Sequence, residues 1–116
     1  FDLSPTCMQA FKEGDFHAAK FETSLMMFWK PELIHMDRAR RDEESFAELM
    51  RTDPDAYLNK TKKIDDPAVI PHIKQRPEMQ VGVMGVIEGA NPEYGKQIAD
   101  EIASALAELV EKLERS

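Results

Sequence analysis

His17 and Glu22 are the residues of this sequence best equipped for chemistry, and they lie within Gly14-Asp15-Phe16-His17-Ala18-Ala19-Lys20-Phe21-Glu22-Thr23-Ser24. An imidazole exchanges protons near neutral pH and can ligate a metal; a carboxylate can ligate the same ion. On one continuous helix, residues five apart are rotated by about 140°, so the two side chains would diverge. They converge only if His17 lies in a loop and Glu22 in the first turns of the helix that follows. Gly14 and Asp15 make such a loop plausible. A competing reading uses the same residues: Glu22 as a surface group complementing the helix dipole, with Thr23 and Ser24 as capping groups.

The elements that must position this pair follow from patterning. Phe21, Leu25 and Phe28 recur at helical spacing, so Lys20 to Lys30 is predicted helical, and Pro31 ends it. Residues 1–16 read as a loop with a short helical turn at Met8 to Lys12. Asp37 to Glu44 carries seven charges in eight positions and reads as a solvated stretch. Glu43 to Met50 fits a short helix burying Phe46, Leu49 and Met50. Asp53-Pro54 opens a turn through Leu58. Asn59 to Gln80 holds Pro67, Pro71 and Pro77 and reads as irregular, a length of loop that usually serves function or an interface. Val81 to Ile87 is apolar with glycines and fits a buried strand or an extended loop. Asn91-Pro92 caps a long final helix whose stripe is Ile98, Ile102, Leu106, Leu109 and Leu113. The chain thus divides into loop 1–16, motif and helix 17–37, charged and Pro-rich insertion 38–80, strand or loop 81–90 and helix 91–115. Such elements lack a sheet to bury their helices, so the expected partner sheet lies in another segment or chain.

Bulk properties narrow the function classes. The 116 residues allow one small domain, and 15 basic against 22 acidic side chains give a net charge of −7. That balance argues against nucleic acid and against anionic lipid as partners. The lone Cys7 excludes an internal disulfide and fits a cytoplasmic setting. No apolar run is long enough to span a bilayer. A first residue of Phe, with no basic flank or apolar core behind it, reads as a start within a longer product.

The stretch from Gly14 to Met27, followed by Lys30-Pro31-Glu32-Leu33-Ile34 and Asp37, resembles a signature of the creatininase family. That signature runs His-Ala-Gly, two variable residues, Glu-Thr-Ser, an apolar helix, Pro-Glu-Leu-Val and a nearby Asp. Val81-Gly82-Val83-Met84-Gly85, with Ala90 and Gly95, is similar to the family's C-terminal loop and last helix. The motifs cover about residues 14–37 and 80–113 and leave the middle unmatched.

The resemblance implies the C-terminal part of an α/β, three-layer α/β/α fold with a mostly parallel sheet. It implies a metal-dependent amidohydrolase-like enzyme acting on a small cyclic amide or related ring compound. One or two divalent ions (zinc, manganese or iron) would activate water as the nucleophile, with His17 transferring protons and Glu22 ligating metal. Thr23 and Ser24 would support them. A keto-inositol ring-opening hydrolase and a non-catalytic subunit are the alternatives, and a plain helical interaction module is a third. The family's other ligands, from an early Glu-x-His, an Asp and a Gly-His motif, have no counterpart here. The N-terminal half of the fold, as a separate or cleaved chain, is therefore the expected partner, and a hexamer of the assembled unit is the family's habit.

Two departures bear on this. Ala19 stands at the family's glycine, a strained choice if that position needs positive φ. Phe16 replaces the acid that precedes the histidine in creatininase, which argues against creatinine as substrate. His35 reads as structural, His72 as a residue of the Pro-rich loop, and Phe28 and Trp29 as core or interface.

Overall fold

The computed structural model describes residues 1–43 and 45–116; Glu44, the end of the charged stretch and part of the expected 43–50 helix, lies outside them. Ser4-Pro5 starts the first element. The Ser4 hydroxyl accepts from the Cys7 amide, and Pro5 occupies a first-turn position where no N–H is needed. Helix α1 therefore runs Pro5–Lys12, correcting the loop expected over 1–16. Helix α2, Lys20–Trp29, forms as its periodicity predicts. Two single 3-10 turns follow at Pro31–Leu33 and Met36–Arg38. Helix α3 is short, Phe46–Met50, and buries Phe46.

Strands β1, Leu58–Thr61, and β2, His72–Gln75, pair antiparallel with Leu58 opposite Gln75 and Thr61 opposite His72. This hairpin corrects the irregular reading of Asn59 to Gln80. Pro67 and Pro71 sit in its connection and Pro77 beyond it, where no ladder amide is missing. The hairpin is the one sheet among the described residues, and it is antiparallel rather than the mostly parallel sheet expected. Val81 to Ile87 is extended but joins no strand; it touches the rest through an isolated bridge between Met84 and His17.

Helix α4 spans Pro92–Arg115, and the Asn91 side chain accepts from the Tyr94 amide as its cap. Its first half crosses α2 at Gly95. A methyl group there would lie 2.0 Å from the Ser24 carbonyl oxygen, so only glycine lets the backbones meet. Around that crossing Cys7, Ala10, Phe21, Leu25 and Ile98 form one core cluster. Phe46, Met79 and Met84 form a second, smaller one. Burial holds the Cys7 thiol above its ordinary pKa, so the residue is packing.

The rest of the α4 stripe is uncovered: Leu106, Leu109 and Leu113 are 49%, 43% and 74% exposed. Phe28 and Trp29 at the end of α2 are exposed as well. The radius of gyration, 18.0 Å, exceeds the roughly 13 Å of a compact chain this long. Among the described residues no helix is long and apolar enough to cross a membrane.

Candidate functional site

The turn into α2 builds the site. Ala19, the residue capping α2, has no side chain to offer the first-turn amides. Asp15 substitutes from six residues upstream, its Oδ2 accepting from the Phe21 amide at 2.8 Å. Glu22 reaches back, its Oε2 accepting from the Ala18 amide at 2.5 Å. The chain between is pinned by Met84, whose carbonyl accepts from the Phe16 and His17 amides and whose amide donates to the His17 carbonyl. His17 therefore sits in the loop and Glu22 in the first turn. His17 Nδ1 lies 3.6 Å from Glu22 Oε2, beyond hydrogen-bond distance.

The left-handed residue of this turn is Ala18, with φ of 50°, while Ala19 has φ of −102°. Alanine at 19 is thus unstrained, and its fully buried methyl occupies the space beside Gly85, where a side chain would collide with it. The strain expected at 19 falls one residue earlier.

Exposure separates the members of the site. The His17 side chain is 61% exposed and that of Glu22 is 35% exposed. Asp15 is buried, and its Oδ1 has no hydrogen-bond partner among the described residues. Burial pushes the Asp15 carboxyl above its usual range; the Phe21 amide pulls it down and nearby Glu22 pushes it up. Ser24 is buried and its Oγ accepts from the Asn91 amide, so it fastens the start of α4 to α2. Thr23 is half-buried on the same helix.

Beside His17 opens a cleft of about 520 Å³, lined by Phe16, Met50, Tyr57, Gln75, Met79 and Met84, with Val81 and Gly82 completing it. The charged stretch supplies one wall indirectly. Asp42 accepts from the amides of Gln80, Val81 and Gly82, which corrects the purely solvated reading of 37–44. Those amides hold its carboxyl below the usual range. His35 is exposed, and His72 lines a separate pocket against Lys62 and Ile70.

A divalent metal would find part of a donor set here. Glu22 Oε1 receives no hydrogen bond from the described residues, and the His17 ring is accessible. Catalytic sites usually need at least three protein ligands, and no group of three His, Cys, Asp or Glu side chains with that geometry occurs among the described residues. The pair fits a metal site as a contributor and not as the whole of it.

Sequence reasoning placed His17 and Glu22 together but missed Asp15 and Asp42. Asp15 acts on an amide six residues on and Asp42 on amides about 40 residues on, both beyond the reach of a local capping rule. Gly-Asp ahead of a helix with no side-chain cap was the available signal for Asp15.

No curated protein and no solved structure matches the chain. Residues 4–110 match the family described as Creatininase: Creatinine amidohydrolase, a span that includes the middle section which the motifs left unmatched. With nearly its whole length inside that match, the chain belongs to the creatininase family.

Proposed function

We propose that this chain supplies the proton-transferring side of a metal-dependent amidohydrolase-like enzyme. The observation that carries the reading is the convergence of His17 and Glu22, across a loop–helix junction, at the mouth of a cleft. Family membership supports hydrolysis as the reaction class.

In this reading Glu22 contributes its free Oε1 to a divalent ion, zinc, manganese or iron, in a centre of one or two metals. Such an ion would acidify water and polarise a substrate carbonyl. His17 stands where it can carry a proton to the leaving nitrogen of a ring-opened amide. A closer approach of Glu22 Oε2, 3.6 Å from Nδ1, would let it accept from Nδ1–H and leave Nε2 for the substrate. Ser24 holds α2 against α4 and so fixes where Glu22 stands; Thr23 adds packing beside it.

The remaining ligands come from the N-terminal half of the fold, as a separate or cleaved chain. That half also brings the mostly parallel sheet of a three-layer α/β/α architecture. The uncovered stripe of α4, the exposed Trp29 and the large radius of gyration support this, because each describes a surface built to be covered. Assembly of the completed unit into a hexamer follows the family's pattern, and the lone Cys7 suits a cytoplasmic setting.

The test is His17→Ala in the assembled protein. Turnover of cyclic amides should fall by about two to four orders of magnitude, the range of a general acid, with metal content unchanged. Undiminished turnover would remove His17 from the mechanism. A protein that never binds stoichiometric metal would leave only a packing role for this motif.

A further inference from the structure

The cleft beside His17 has a chemistry of its own. Two aromatic rings, Phe16 and Tyr57, and three thioethers, Met50, Met79 and Met84, make most of its wall. Among the described residues no Asp, Glu, Lys or Arg lines it. In a chain this rich in charge, an uncharged wall next to the reacting imidazole selects against a charged substrate. Methionine sulfur packs well against ring edges, and aromatic rings prefer edge or offset contact with another ring. The volume, about 520 Å³, lies within the range of small-molecule sites.

The cleft's polar groups are the His17 imidazole, the Tyr57 hydroxyl and the Gln75 amide. Gln75 Nε2 donates to the Met79 carbonyl at 3.0 Å, which fixes the amide orientation and leaves Oε1 as an acceptor. Gln75 is exposed, so a ligand N–H would take the place of water there. The wall made by Val81 and Gly82 is held by Asp42, so the cleft is braced by the same segment that looked like a solvated charge run. The hairpin and α3, which contribute Tyr57, Gln75 and Met50 around it, thereby acquire a role.

We propose that this cleft takes an uncharged aryl amide, its ring among Phe16, Tyr57 and the three methionines and its N–H on Gln75 Oε1. The carbonyl carbon then lies toward His17. The inference rests on the hydrolase reading above only in treating the occupant as a substrate.

The seven methionines allow a direct test. With ¹³C-methyl methionine in the full protein and 4-fluoroacetanilide as probe, the methyl signals of Met50, Met79 and Met84 should shift on titration. Those of Met8, Met26, Met27 and Met36 should stay, and acetamide at equal concentration should move none. Phe16→Glu should weaken the anilide at least tenfold while leaving the four control methyls in place; Tyr57→Ala is the second variant should that one not fold. Uniform shifts across all seven, or none at the three cleft positions, overturn the proposal. Anilide binding without turnover in the metal-loaded protein would sink the hydrolase reading and leave the cleft preference standing. Hydrolysis of polar cyclic amides with unmoved cleft methyls would do the reverse.

Discussion

Gly95→Ala sets two effects of opposite sign against each other. Alanine is the better helix former by about 1 kcal/mol, and Gly95 lies inside α4, so propensity alone predicts stabilisation. Packing predicts the opposite. The new methyl would stand 2.0 Å from the Ser24 oxygen, 2.3 Å from its carbonyl carbon and 2.8 Å from the Leu25 nitrogen, all backbone atoms. Reaching ordinary contact at 3.4 Å means parting the helices by about 1.4 Å. No rotamer change relieves a clash between backbones, so the cost belongs near the upper end of the ~1–3 kcal/mol typical of overpacking. The net expectation is a loss of about 2 kcal/mol. For a chain of this size that is about 8 °C in Tm, at about 4 °C per kcal/mol. Circular dichroism melting of the wild type and the variant decides it. The displacement would also carry Glu22 away from His17, since Glu22 rides on α2 while Met84 holds His17 in the preceding loop. An equal or higher Tm for the variant would refute the close crossing and, with it, the assigned position of Glu22.

Two further outcomes follow from the carboxylates outside the site. Burial would raise the Glu101 carboxyl, but hydrogen bonds from Ser4, from the Thr6 hydroxyl and amide and from Gln97 outweigh it and hold the pKa at about 2, below 4.5. A depressed acid stabilises the fold fully above its unfolded pKa and loses that contribution as pH falls towards the folded value. Glu101→Gln should therefore cost about 1–2 kcal/mol at pH 6, after allowance for solvent screening, and the difference from wild type should vanish towards pH 2. Urea titrations across that range check it, and a pH-independent difference would contradict the assigned hydrogen bonds. For Asp42→Ala, amide hydrogen exchange at Gln80, Val81 and Gly82 should accelerate at least tenfold while exchange in α4 stays unchanged.

What the sequence revealed was local. Lys20 to Lys30 and the α4 stripe repeat at helical spacing, and Asn91-Pro92 carries its own cap, so periodicity and capping chemistry place both helices. Spacing stated only the condition under which His17 and Glu22 could meet, and the resemblance to the family motif made their meeting the expectation. Helix α1 was underread although Ser4-Pro5 has the right residue types, because its weak apolar pattern masked the cap. The hairpin was missed because prolines dominate Asn59 to Gln80, yet they fall outside β1 and β2. Asp15 and Asp42 were not legible, because each works on amides whose distance in space depends on the fold. The second half of α4 shows the limit from the other side: its stripe predicts burial, and what buries it is not written in the stripe.

The Ser4–Glu101 hydrogen bond joins residues 97 apart in the chain. Loop-closure entropy makes so distant a contact late in the folding order. Helix α1 therefore leaves the ribosome without this anchor, and until Glu101 has been synthesised Cys7 and Phe11 have Phe21 and Leu25 of α2 to pack against. Translational pauses before that codon would lengthen the interval in which this segment is available to chaperones.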